Sequence, residues 1–240
     1  MCTVTFVPAK TGCFIASNRD EKHIRRAALP PQWYKHNCRI MYPKDTDAGG
    51  TWIAMKDNGD AAVLLNGAFI KHEAKPPYRK SRGLIFLDIV EEDAPVEAFK
   101  IIPLNNIEPF TLVFFVNNTL YECRWDGNRK YLRRLQGNMP HIWSSATLYD
   151  DEVIEKRRRW FDEWLRENPL PGKSDIIHFH RFGGDGDAQN DIRMSRGNMY
   201  CTVSITVMEI TGAGNSMHYF DLKNNKSFTP QIDARSLAAV

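Results

Sequence analysis

No apolar run in this chain approaches the roughly 20 residues a membrane-spanning helix needs. The longest, Leu84 to Val90 and Thr111 to Val116, are of strand length. Met1 to Val7 lacks the basic start and apolar stretch of a secretory signal, so a cytoplasmic protein without a membrane span is expected. An excess of one charge is missing too. Thirty-two Lys and Arg against 29 Asp and Glu leave +3, too weak a field for a dedicated nucleic-acid binder. The five cysteines, Cys2, Cys13, Cys38, Cys123 and Cys201, are odd in number and show no close pairing. That excludes a disulfide framework or zinc ribbon and fits a reducing compartment. Gly183-Gly184-Asp185-Gly186 has no lysine and serine after it, so it is not a phosphate loop and no nucleotide cofactor is implied. His178 and His180, near Asp185, Asp187 and Asp191, lack the further ligand spacing of a metal site. Arg124, Lys130, Arg133 and Arg134, with Trp125 and Tyr131 among them, read as a solvated strand in preference to a nucleic-acid face. No metal, cofactor or nucleic acid is expected, and nothing sets an oligomeric state.

The composition, 42% hydrophobic and 25% charged, is that of one globular domain over residues 1–240. Cys2 to Val7 and Cys13 to Asn18, separated by Pro8 to Gly12, read as an antiparallel hairpin. A turn near Lys10 makes paired positions sum to about 20 or 21, which puts Cys2 across from Asn18 or Arg19. Gly49 to Met55 and Ala61 to Leu65 flank Asn58-Gly59, a strong hairpin signal, and a pairing sum of about 117 sets Asn66 opposite Thr51. Leu84 to Val90, Thr111 to Val116, Thr119 to Trp125 and Lys130 to Leu135 read as further strands. Helices are predicted over Pro95 to Ile102, from Asp150 or Asp151 to Glu167, and after Ser174 through Phe182. In the long helix, Arg157-Arg158-Arg159 reads as a solvated face. Tyr200 to Ile210 and Met217 to Leu222 return to strand. The order implies an α+β fold with helices packed on stacked sheets.

Cys2 is the most informative residue. Removal of Met1 would leave its thiol and a free α-amine on one residue, a nucleophile carrying its own base. An ordinary α-amine titrates near 7.7 to 8.0 and a thiol near about 8.5, so proton transfer between them is almost balanced. Asn18-Arg19-Asp20-Glu21 ends a strand beside Cys2. It offers carboxylates for an ammonium, a guanidinium that favours thiolate and an amide that can orient both.

Met1-Cys2-Thr3, Asn18-Arg19-Asp20-Glu21, Pro30 to Trp33, Gly49-Gly50-Thr51-Trp52, Leu65-Asn66-Gly67 and Ser81-Arg82-Gly83 resemble, in order, the signatures of the NRDE family, the transport-and-Golgi-organisation family. The resemblance is strongest over residues 1 to 90. It implies an N-terminal nucleophile hydrolase-like αββα sandwich: two stacked antiparallel sheets flanked by helices. A more distant similarity to the cholylglycine hydrolase and penicillin V acylase group implies roles for single residues. Cys2 attacks, Asn18 and Asp20 match that group's segment after the second strand, and its arginine is displaced to Arg19. Gly59 followed by Asn66 is similar to its Gly-x6-Asn pattern, which ends in an oxyanion asparagine. Two positions depart. Ser145 stands where relatives have asparagine, and Val203 stands where they have arginine.

The resemblance therefore implies a cysteine amidohydrolase acting on a small acylated amide. Cys2 is the nucleophile, Asp20 anchors its amine, Arg19 favours thiolate, Asn18 orients the pair and Asn66 holds the oxyanion. Trp33 and Trp52 form an acyl pocket, and Ser145 donates one bond. The alternative is a binding or trafficking protein for an apolar ligand, lipid or haem, on the same fold.

Overall fold

The computed structural model describes residues 2–211 and 214–230. Two antiparallel sheets stack face to face between two helical layers, the α+β sandwich expected. β1 (Cys2–Pro8) and β2 (Cys13–Lys22) form the first hairpin, with Cys2 paired to Arg19. β10 (His141–Ser144) joins β1 on one side. On the other, β12 (Tyr200–Thr211), β13 (Gly214–Asp221) and β14 (Lys226–Phe228) follow β2, and β11 (Ser195–Arg196) pairs with β12. The second sheet runs in chain order through β3 (Leu29–Lys35), β4 (Arg39–Lys44), β5 (Ile53–Lys56), β6 (Ala61–Asn66), β7 (Phe110–Val116), β8 (Thr119–Trp125) and β9 (Lys130–Leu135).

The main core fills the space between the sheets and beneath α1 (Arg82–Val90) and α2 (Pro95–Ile101), with Phe6, Ile15, Ile53, Val63, Phe86 and Phe114 fully buried. A second core, around Phe14, Ala16, Phe161, Ile176 and Phe179, lies between the first sheet and helices α3 (Asp151–Glu167) and α4 (Lys173–Phe182).

Three expectations are corrected, and one unassigned stretch proves to be strand. Leu84 to Val90 is α1, not a strand. A short apolar run suits a buried helix as well as a buried strand, and here the Ser81 side chain caps the chain by accepting from the Leu84 N–H. The β5–β6 hairpin sums to 116, with Ile53 opposite Val63 and Met55 opposite Ala61. Asn66 pairs with Phe110 instead of Thr51, and a one-residue slip turns a side chain to the other face. Arg157 is fully buried while Arg158 and Arg159 are exposed, so the arginine run is not one solvated face. Residues 29 to 44, unassigned from sequence, form β3 and β4. Pro30 and Pro31 are tolerated because β3 is an edge strand with a register shift between Leu29 and Gln32.

Candidate active site

The pleat of β2 divides Asn18-Arg19-Asp20-Glu21 between two environments, because successive side chains point to opposite faces. Arg19 and Glu21 face the second sheet and line a cleft of about 810 Å³ together with Cys2, Thr51, Trp52, Asn66, Arg82 and Glu108. Asn18 and Asp20 face the helical layer and do not reach that cleft.

Cys2 lies at the cleft floor, 1% exposed. Burial holds its thiol above the ordinary value, with the Arg19 charge drawing it partly back. Arg19 packs 4.2 Å over the Trp52 ring and donates to the Asp45 carboxylate, which also takes Arg25 at 3.0 Å. Burial alone would raise Asp45, but the Ala48 N–H and the two guanidinium groups outweigh it and hold the carboxyl below the usual range. Asn66 ends β6 with its carbonyl accepting from Ser145 Oγ at 2.8 Å. Among the described residues its side-chain amide makes no hydrogen bond, which leaves both N–H groups free for the cleft. Ser145 also donates its backbone N–H to the Cys2 carbonyl at 3.0 Å. One residue thus ties the nucleophile strand of one sheet to the asparagine strand of the other.

The opposite side of the first sheet carries a closed polar network. Asp20 accepts from Thr202 Oγ1 at 2.6 Å and from the Tyr149 hydroxyl at 2.7 Å. Burial raises its carboxyl, and Arg157 with these two donors opposes the rise. Arg157 lies 3.6 Å over the Tyr149 ring. It donates to Thr3 Oγ1 and to the carbonyls of Asn190 and Asp191. Asn18 Nδ2 donates to the carbonyls of His180 and Ile192, so its Oδ1 must accept from His180 Nδ1 at 2.7 Å. His180 Nε2 then accepts from the Thr5 hydroxyl at 2.8 Å. This is a neutral imidazole, and burial lowers its pKa to about 3.

The structure therefore brings Cys2, Arg19, Asn66 and Trp52 together, with Ser145 at the seam. Asn18 and Asp20 do not line the cleft: Asn18 is bonded to His180 and Ile192, and Asp20, bonded to Tyr149 and Thr202, is near enough for its charge to help hold the Cys2 thiol up. Trp33 does not line the cleft either: it packs on the main core with Arg39 4.8 Å over its ring. Val203 sits where the β2–β12 register shifts between Thr202 and Ser204. His178 and His180 do not converge on a metal cluster among the described residues: His180 is consumed by Thr5 and Asn18. Sequence reasoning missed Arg25, Asp45 and Glu108 in the cleft and Tyr149, Arg157 and Thr202 behind it. Ser81-Arg82-Gly83 was the one signal for this wall, where Arg82 pairs with Glu108 at 2.9 Å. A Cβ on Gly50 would meet the Gly83 carbonyl carbon at 2.5 Å, so the two glycines let the Gly50 loop touch the start of α1.

Among solved structures, the chain is similar to a Caenorhabditis elegans N-acylethanolamine-hydrolyzing acid amidase ortholog, with 13% identity, a TM-score of 0.60, and coverage of 86% of this chain and 92% of that one. It is also similar to the C2A mutant of the conjugated bile acid hydrolase from Clostridium perfringens, with 11% identity, a TM-score of 0.60, and coverage of 96% and 92%. An arginine-to-leucine variant of that hydrolase matches at 11% identity and a TM-score of 0.58, covering 97% and 93%. These likenesses establish the N-terminal nucleophile hydrolase fold. No curated protein sequence matches the chain. The family model for Transport and Golgi organisation 2 matches residues 1–182, and with the ordered motifs around Cys2, Arg19, Asn66 and Arg82 it shows that this chain belongs to the Transport and Golgi organisation 2 family.

Proposed function

We propose that this protein is a cysteine-type N-terminal nucleophile amidohydrolase that cleaves the carbon–nitrogen bond of a small acylated amide. One observation carries the reading: the Cys2 thiol, the Arg19 guanidinium and the free Asn66 amide face one cleft. Once Met1 is removed, Cys2 Sγ attacks the carbonyl carbon as its own α-amine takes the thiol proton. The Asn66 amide and a backbone N–H hold the oxyanion. The carbon–nitrogen bond then breaks, the α-amine returns the proton to the leaving nitrogen, and a thioester remains. Water attacks the thioester as the α-amine accepts its proton, and acid and thiol are released. Because burial holds the thiol up, the proton moves as the bond forms and no resting thiolate is required. Asn18 and Asp20 act as positioning residues that lock β1, β2 and β12 beneath the nucleophile. Trp52, not Trp33, walls the acyl group.

The test is intact mass before and after a cysteine-directed electrophile, in wild type and Cys2→Ser, with turnover of acyl amides measured alongside. Loss of Met1, fast labelling that requires Cys2, and turnover abolished in Cys2→Ser are expected. Retained Met1 in active protein, or labelling no faster at Cys2 than at Cys38 or Cys201, would overturn the mechanism. The second reading, carriage of an apolar ligand without turnover, is favoured by the apolar Val203 in place of a fixed charge. It predicts that Cys2→Ser binds the ligand as tightly as wild type and that neither form consumes it.

A further inference from the structure

The loop from Gly67 to Ser81 carries Lys71, Lys75, Arg79 and Lys80 against the single acid Glu73, a local charge equal to that of the whole chain. It also holds two large apolar side chains out to solvent, Phe69 at 49% and Ile70 at 75% exposure. Phe69 packs edge-on against Tyr131 of β9, centroids 5.0 Å apart, so the exposed apolar surface passes from the loop onto an edge strand. Tyr131 pairs with Arg124 and Arg133 with Glu122, which places Tyr131 and Arg133 on the same face of that strand. The Arg133 side chain is 71% exposed.

Four cations of this region are already engaged: Lys80 pairs with Asp88 and Arg79 donates to the Pro103 carbonyl at 2.7 Å. Lys130 Nζ bonds the Lys100 and Ile102 carbonyls, and Arg124 bonds Ala68 and Glu122. Among the described residues Lys71 and Lys75 make no ion pair, and Arg133 makes a long one of 3.8 Å to Glu122. The same loop reaches the cleft, since Lys71, His72, Ala74, Tyr78 and Lys80 line its mouth.

We infer that this surface docks the protein on an anionic lipid bilayer, with Phe69 and Ile70 entering the interface and Lys71, Lys75 and Arg133 meeting acidic headgroups. Exposed apolar tips ringed by cations are the pairing that interfacial binding requires, apolar burial adding to attraction by the leaflet's negative charge. A nucleic-acid partner suits the surface less well. Trp125 is buried with its indole N–H bonded to the Ile107 carbonyl, the exposed rings of Phe69 and Tyr131 are turned edge-on to each other with Arg124 over the Phe69 face, and Ile70 offers no stacking face. Docking would bring the cleft mouth to the headgroup level, where an acylated amide leaves the bilayer.

The experiment is flotation of the full-length Cys2→Ser protein with vesicles of phosphatidylcholine alone and with added phosphatidylserine, at low and high salt. Using the protein without the Cys2 thiol separates docking from the reaction proposed above, whose failure would show only in turnover. The protein is expected to float with anionic vesicles, not with neutral ones, and to detach as salt screens the charges. Phe69→Ser with Ile70→Ser is expected to lower partitioning at least tenfold, and Arg133→Glu, outside the loop, at least about fivefold. Circular dichroism of each variant should match the parent, because these side chains are exposed. No flotation with anionic vesicles, variants that float as the parent does, or binding of a short RNA in place of vesicles would overturn the inference.

Discussion

Alternation along one strand decides what each residue of the Asn18–Glu21 tetrapeptide does. Arg19 belongs to the cleft, whereas Asn18 has its side chain fully bonded to His180 and Ile192. If the proposed oxyanion role is right, Asn66→Ala lowers turnover by about 100-fold or more, measured as kcat on an acyl amide with unchanged thermal stability. The arginine run has its own asymmetry. Arg157→Met leaves Thr3 Oγ1 and two carbonyls without their donor and removes the charge that offsets the burial of Asp20, so it is expected to cost about 3–5 kcal/mol in urea unfolding. Arg158→Ala, on the exposed side of the same turn, should stay within about 0.5 kcal/mol. His180 sets a pH dependence. Its imidazole is neutral when folded, with a pKa of about 3, and near about 6.5 when unfolded. The unfolded chain therefore binds the extra proton between these values, and stability is full above pH 6.5 and falls as pH drops toward 3, by up to about 1.4 kcal/mol per unit. His180→Gln should flatten that slope in denaturant titrations from pH 6.5 to 4. Burial also pushes Cys13 and Cys123 up to about 12, so neither competes for the electrophile at neutral pH.

Among the elements, α1 shows where local reading fails. Leu84 to Val90 has the length and composition of a buried strand, and its Ser81 cap with its packing over β6 and beside α2 selects the helix. Its second residue, Gly83, is forced by a close approach: an added Cβ would stand 2.9 Å from the Thr51 carbonyl. Gly83→Ala is thus expected to cost about 1–3 kcal/mol by overpacking, against the usual helical gain of about 0.5–1 kcal/mol from the same change. Chemical denaturation reads the sign directly. The strand pattern was legible where period and turn residues agreed, as in the first hairpin and in β7 to β9. It was lost at β3 and β4, because prolines and a register shift interrupt the alternation. It slipped by one in the β5–β6 hairpin, where the Asn58-Gly59 turn alone does not set the sum.

At the scale of the whole molecule, the cleft exists because the ends of two sheets meet at Cys2, Ser145 and Asn66. A ligand seated there touches both layers and must stabilise the fold as a unit. An acyl amide at about 100 times its dissociation constant should add about 2.7 kcal/mol to unfolding of the Cys2→Ala protein, read as a rise in Tm that Asn66→Ala or Arg19→Met diminishes. Local order in the chain was enough to determine the first hairpin, three of the four helices among the described residues, the stacked α+β class and the ordered family motifs, because those depend on neighbours in sequence. The partition of Asn18 and Asp20 from Arg19 and Glu21, the burial of Arg157, the loss of Trp33 from the cleft and the arrival of Arg82 and Glu108 were decided only in the tertiary structure. Each depends on which face of a strand or helix meets a second layer, and that contact joins residues tens to more than a hundred positions apart.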